Sequence, residues 1–156
     1  MRAVTSVTRR GFAVRVAGAG LLAAALAGCG RDKKTAQPVP PGSTVLALGD
    51  SLTFGTGASA ETSYPTVLAG LTGWNVVNAG VSGDTSAQAL ARLPALLAEH
   101  QPKLVIVSIG GNDFLRKLPE SDTRTHVHAI CKQSLDAGAQ VLLVAVPRAT
   151  VAAALG

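Results

Sequence analysis

An α/β fold with a doubly wound, mostly parallel sheet is the class this sequence predicts, and two observations carry it. Four short apolar runs recur at 44–48, 74–79, 104–109 and 141–146, with helical patterns between them. Runs such as LVIVSI and VLLVAV are continuous rather than alternating, as expected of strands buried on both faces of a parallel sheet. The order is βαβαβαβ, which right-handed crossovers wind into three layers, α/β/α.

The chain opens with a segment that reads as an address. Arg9 and Arg10 precede Gly11 and Phe12, and 13 uncharged residues follow, VAGAGLLAAALAG, which fits a signal h-region and is short for a membrane span. TRRGF resembles a twin-arginine export signal, with general secretion as the other route. LAGC, Leu26 to Cys29, resembles a bacterial lipobox. Residues 1–28 are therefore expected to be removed, leaving a lipid-modified Cys29 that anchors the protein to a membrane of the bacterial cell envelope. Residues 29–43 hold Pro38, Pro40 and Pro41 among polar side chains and are expected to form a semi-rigid tether that packs no core.

Folded structure is expected from Thr44, in one domain spanning 44–156. The first strand, Thr44–Leu48, runs into GDSLTFG, and a short helix around Tyr64–Leu71 leads to the second, Trp74–Ala79. DTSAQALARLPALLAEHQ is helical in pattern, with Asp84 or Thr85 as N-cap and Pro94 as a candidate kink. The third strand, Leu104–Ile109, exits into GGNDF. ESDTRTHVHAICKQSLDAGA then forms a helix with Ser121 or Asp122 as N-cap, and the fourth strand, Val141–Val146, runs into Pro147 and Arg148. ATVAAALG reads as the first turns of another helix.

Composition narrows the partners. The chain has 156 residues, 47% hydrophobic but only 3% aromatic, enough for one domain with an aliphatic core. Its net charge of +5 is misleading, because residues 1–28 supply +4 of it and the remainder carries 10 basic against 9 acidic residues. The folded part is nearly neutral, so no nucleic-acid partner is expected. With Cys29 lipidated, Cys131 has no cysteine to pair with and reads as a small helix-face residue. No metal-ligand cluster and no phosphate-binding loop stand out, so neither metal nor cofactor is expected.

In open α/β sheets the ligand crevice lies beyond the carboxyl ends of the strands. Three of the four exits here, GDSLTFG, AGVSGDTS and GGNDF, combine glycines with Ser, Asp or Asn. Turn chemistry accounts for any one of them alone. All three together bring a hydroxyl, backbone N–H groups and a side-chain amide towards one point, which is what acyl transfer needs.

On these blocks the sequence resembles the SGNH, or GDSL, hydrolases, and within them the bacterial periplasmic branch of thioesterase and lysophospholipase enzymes. The resemblance covers roughly Thr44 to Arg148 and implies a flavodoxin-like three-layer fold. It makes Ser51 of GDSLTFG the nucleophile, Gly83 of NAGVSGDTS a backbone oxyanion donor and Asn112 of GGND a side-chain oxyanion donor. Asp50, beside Ser51, reads as a bonding partner for loop N–H groups, and Asp84 and Asp113 as loop braces or helix caps. The motif differs from the GxSxG elbow of α/β-hydrolases.

The family's fourth block, an Asp-x-x-His after a fifth strand, has no match in this chain. Of the three histidines, His100 ends a helix on the wrong side of the sheet. His126 is the least implausible substitute base, although a helix-surface histidine is the plainer reading of both His126 and His128. The expected protein is an envelope-anchored serine hydrolase of ester, thioester or lysophospholipid substrates. These 156 residues read as a C-terminally incomplete version of it, weakly active or inactive. The alternative is a non-catalytic envelope lipoprotein that uses the same crevice for binding or scaffolding.

Overall fold

The computed structural model describes residues 36–145; the signal segment, Cys29, Val146 and Arg148 lie outside the described residues. Four parallel strands, β1 (Thr44–Gly49), β2 (Asn75–Gly80), β3 (Leu104–Ser108) and β4 (Gln140–Leu143), form one sheet in the order β2-β1-β3-β4. Five helices connect them: α1 (Ser51–Phe54), α2 (Tyr64–Thr72), α3 (Ser86–His100), α4 (Gly111–Leu115) and α5 (Glu120–Asp136).

The two central strands are those whose apolar runs are continuous and buried. In β1, Val45 through Leu48 are fully buried, and alternate side chains serve the two faces. Leu46, Leu48, Val105 and Val107 pack with Leu93 and Leu97 of α3 and Ile130 of α5. Val45, Leu104 and Ile106 pack on the other face with Leu68 of α2 and with Trp74 and Val76. Helices therefore cover both faces, giving α/β/α layers. The chain moves one way from β1 to β2 and the opposite way to β3 and β4, and right-handed connections then require α2 on one face and α3 and α5 on the other.

Two local expectations are corrected. VLLVAV does not form a strand buried on both faces: β4 ends at Leu143 and takes the edge of the described sheet, with Leu142 and Leu143 about half exposed. The cap of α5 is Pro119 rather than Ser121 or Asp122. Proline's fixed φ starts that helix, while Glu120 and Asp122 fall in its first turn, where negative charge suits the dipole. Pro94 lies inside α3, which runs as one helix from Ser86 to His100. At the start of α3 the cap is Thr85, in a capping box with Gln88.

The folded part begins before Thr44. Residues 37–42 lie as a strap along the amino edge of the sheet, from Gln140 at the start of β4 to Asn75 at the start of β2. Gln37 and Gln140 exchange two hydrogen bonds of 2.7 and 2.9 Å, and Trp74 Nε1–H donates to the Val39 carbonyl at 3.0 Å. Asn75 Nδ2–H donates to the Gly42 carbonyl at 2.8 Å, and the Gly42 N–H donates to the Gly73 carbonyl at 2.7 Å. Val39 packs into the second core cluster. Four strands span roughly 14 Å at about 4.8 Å spacing, and the five steps from residue 37 to residue 42 at about 3.1 Å each just cover it.

Candidate active site

Strand register sets the site. Gly49, the last residue of β1, lies level with Gly80 of β2 and Ser108 of β3. The following loops therefore leave the sheet at one edge, on either side of the point where the winding direction reverses. In this fold class that is where ligands bind.

The Asp50 carboxylate caps α1 by accepting the Leu52 N–H at 3.1 Å, so half-buried Ser51 is the first residue of that helical turn. Two glycines let α1 lie against the sheet. A Cβ at Gly49 would meet the Ser108 carbonyl at 2.6 Å as well as the Thr53 side chain, and one at Gly80 would strike the backbone of Thr53 and Phe54. Thr53 is fully buried and its hydroxyl lies 3.1 Å from that of Tyr64. Burial pushes the Tyr64 phenol above its ordinary range, against the Thr53 hydrogen bond, and the Asp50 charge adds to the rise.

The loop after β2 is bonded to this turn and to the loop after β3. Val81 N–H donates to the Gly49 carbonyl at 3.1 Å, and the Ser82 and Thr56 hydroxyls are 3.2 Å apart. Gly83 has φ +84°, left-handed backbone that a glycine adopts without strain. Its carbonyl accepts from Arg116 Nη2 at 2.7 Å. Asp84 is buried: its carboxylate accepts from Arg92 Nε at 2.8 Å, and its carbonyl accepts from Asn112 Nδ2 at 2.9 Å. Arg92 also donates to the Gly49 carbonyl at 3.0 Å and so clasps two strand exits at once. On the third exit, Gly110 with φ +113° turns the chain into α4 and places Asn112 as its second residue. Asp113 is buried and accepts from the Ser86 N–H at 2.8 Å, the Ser86 hydroxyl at 2.5 Å and the Thr123 hydroxyl at 3.2 Å.

The structure thus brings Ser51, Gly83 and Asn112 to one edge, with Asp50, Asp84 and Asp113 bonded into the loops around them. Among the described residues, nothing accepts a hydrogen bond from the Ser51 hydroxyl, the Gly83 N–H or the second Nδ2 hydrogen of Asn112. These groups are left unspent at that edge, and a hydroxyl together with N–H donors is the set of groups that acyl transfer requires. Among the described residues no His, Cys, Asp or Glu cluster is arranged to hold a metal ion.

The histidines are placed elsewhere. His100, the last residue of α3, lies at the opposite edge with Glu99 at 3.9 Å, and His128 is exposed on α5. His126 is not the plain surface residue its helix position implied: Nδ1 lies 3.0 Å from the buried Ser86 hydroxyl. Cys131 is partly buried, and burial raises its thiol pKa. Sequence reasoning missed Arg92, Arg116, Ser86 and Gly80. Each touches a partner distant in the chain; Gly80 and Ser86 lie in the NAGVSGDTS block, which does not reveal those partners, and no local pattern marks Arg92 or Arg116.

Comparison with known proteins decides the family. The GDSL-like lipase/acylhydrolase family matches residues 47–155, more than half of the chain. The chain belongs to that family. "Thioesterase 1/protease 1/lysophospholipase L1" of Escherichia coli K12 is 46% identical over 105 residues, 65% of this chain and 50% of that protein. Esterase TesA of Pseudomonas aeruginosa is 38% identical over 108 residues, 66% of this chain and 54% of that protein. A crystal structure of TesA superposes with a TM-score of 0.64 at 38% identity, over 66% of this chain and 60% of the other. This GDSL-family chain thus spans about half the length of the curated relatives it matches, and its α/β fold is that of the SGNH hydrolases.

Proposed function

We propose that this chain carries the acylating half of an SGNH serine hydrolase, held in the bacterial cell envelope by a lipid on Cys29. The observation that supports the reading is the junction of three strand exits, hydrogen-bonded to one another, that leaves the Ser51 hydroxyl, the Gly83 N–H and one Asn112 hydrogen unspent. Ser51 Oγ attacks the carbonyl carbon of an ester or thioester, and its proton passes to a base. The oxyanion is held by Gly83 N–H and Asn112 Nδ2–H. Collapse expels the alcohol or thiol, and water then hydrolyses the acyl-Ser51 ester. Substrates are esters, thioesters or lysophospholipids, the classes named for the Escherichia coli relative.

The base is the part these residues do not place beside Ser51. His126 is committed to Ser86, and His100 and His128 lie away from the site. A serine hydrolase without a base beside its nucleophile retains mainly the contribution of oxyanion and binding groups.

Long exposure to an activated fluorophosphonate, followed by peptide mass spectrometry and circular dichroism, tests the reading. The parent is expected to label at Ser51, and Ser51→Ala is expected to stay folded and unlabelled. A folded Ser51→Ala that labels as fast as the parent makes Ser51 a turn residue and overturns the proposal. A parent that never labels favours the binding lipoprotein instead.

A further inference from the structure

Behind the oxyanion edge lies a buried hydrogen-bond chain that the proposed reaction does not use directly. Asp113 is only 3% exposed and Ser86 is fully buried. The Ser86 hydroxyl has one proton and two neighbours, Asp113 Oδ1 at 2.5 Å and His126 Nδ1 at 3.0 Å. A hydrogen bond to a carboxylate is the shorter and stronger kind, so the proton goes to Asp113. Ser86 Oγ is then an acceptor towards His126, and His126 Nδ1 must carry a hydrogen for that contact to be a bond. The chain runs in one direction: His126 Nδ1–H to Ser86 Oγ–H to Asp113.

Its far end is the oxyanion edge. Consecutive residues of α4 bond to the start of α3 as two rungs: Asn112 Nδ2–H on the Asp84 carbonyl, and Asp113 on the Ser86 N–H and hydroxyl. The second rung fixes α4 against α3, and the first fixes which way the Asn112 amide points. Thr123 adds a third donor to Asp113 from α5, at 3.2 Å. The carboxylate is thus satisfied by α3 and α5 together, and a buried carboxylate that loses a donor is costly.

We propose that His126 is a positioning residue for the Asn112 oxyanion donor, acting through Ser86 and Asp113 as an Nδ1-protonated tautomer. Without that hydrogen the buried Ser86 oxygen loses its donor from α5, and a bare Nδ1 would in addition compete with Asp113 for the Ser86 proton; in either case the Asp113 rung loosens. The functional part of the inference rests on Asn112 serving as an oxyanion donor; the tautomer and the mechanical link do not.

The test uses the full chain with four variants: His126→Leu, His126→Asn, Ser86→Ala and the double variant His126→Leu/Ser86→Ala. The Asn amide nitrogen takes the place of Nδ1, so His126→Asn keeps the donor that His126→Leu loses. Imidazole ¹⁵N spectra of neutral His126 should show a hydrogen on Nδ1. The Asn112 side-chain amide resonances, assigned by their loss in Asn112→Asp, should move in His126→Leu and stay in His126→Asn. Residual hydrolysis of p-nitrophenyl butyrate should fall about 5- to 10-fold in kcat for His126→Leu, with KM within about twofold, as for an interaction felt mainly in the transition state. His126→Asn should restore it, and His126→Leu should add nothing in the Ser86→Ala background. An Nε2-protonated tautomer, or Asn112 resonances unmoved in a folded His126→Leu, overturns the proposal. Resonances that move without any change in a measurable kcat leave the mechanical link standing and remove Asn112 from the reaction.

Discussion

At the scale of single residues, the site is defined by which hydrogens are spent and which are not. Asn112 gives one amide hydrogen to the Asp84 carbonyl, which orients the group, and has a second to offer. An amide cannot lose that donor by titration. Asn112→Ala should therefore leave substrate affinity nearly unchanged and slow acylation of Ser51 by about 10² to 10³, the scale of one lost oxyanion donor. Phosphonate labelling rates beside equilibrium binding of a non-hydrolysable ether analogue would check this. The three aspartates near the edge are spent on structure, each bonded to a backbone N–H, a hydroxyl or an arginine. The short motifs could place Ser51, Gly83 and Asn112 because the local chemistry of strand exits is written in adjacent residues. They could not place Arg92 or Arg116. A lone arginine on a helix or in a loop reads as a solvated charge until its distant carbonyl partner is known.

At the scale of elements, the deciding feature is how closely α1 lies on the sheet. Gly80 lies in the NAGVSGDTS block, yet nothing in that block says that its missing Cβ is where the backbone of Thr53 and Phe54 passes. Gly80→Ala should push α1 away from β2 and cost about 1–3 kcal/mol, the range for forcing atoms into a packed site. Urea denaturation followed by circular dichroism would measure the loss, and Gly138→Ala is a poor control because Gly138 has φ +85°. Gly70→Ala is the right one: that glycine is helical, and a Cβ there meets nothing within 4 Å. Helix starts divide in the same way. The Thr85–Gln88 capping box is local and legible, whereas the entry to α5 is set by Pro119 and by the Leu118 N–H bonded to the Asp113 carbonyl at 2.9 Å.

At the scale of the whole molecule, the strap changes what the proline-rich segment does. From Gln37 to Gly42 it holds the starts of both outer strands of the described sheet, so this part of the expected tether belongs to the fold. The ordered signal ending in LAGC motivates a prediction about the mature chain. Its N-terminus should be Cys29, carrying two or more acyl chains, since a single chain gives only marginal membrane binding. Mass spectrometry of the detergent-extracted N-terminal peptide reads it directly. An unmodified cysteine, or cleavage at another residue, removes the anchor from the proposed function.

The sequence alone determined the parts that depend on periodicity and near neighbours. Continuous apolar runs gave β1 and β3 their burial on both faces, helical patterns gave α3 and α5, and the rule that ligands gather at strand carboxyl ends brought Ser51, Gly83 and Asn112 to one edge. Tertiary structure alone decided everything that depends on which distant segments meet. β4 is half exposed because strand order puts it at the edge of the described sheet, and its apolar residues carry no record of their rank. Val39 packs because the strap fits the sheet's width, although its proline-rich surroundings read as solvated. His126 turns inward because α5 crosses the start of α3 where Ser86 lies, and no spacing along one helix encodes the residue on another that receives its hydrogen.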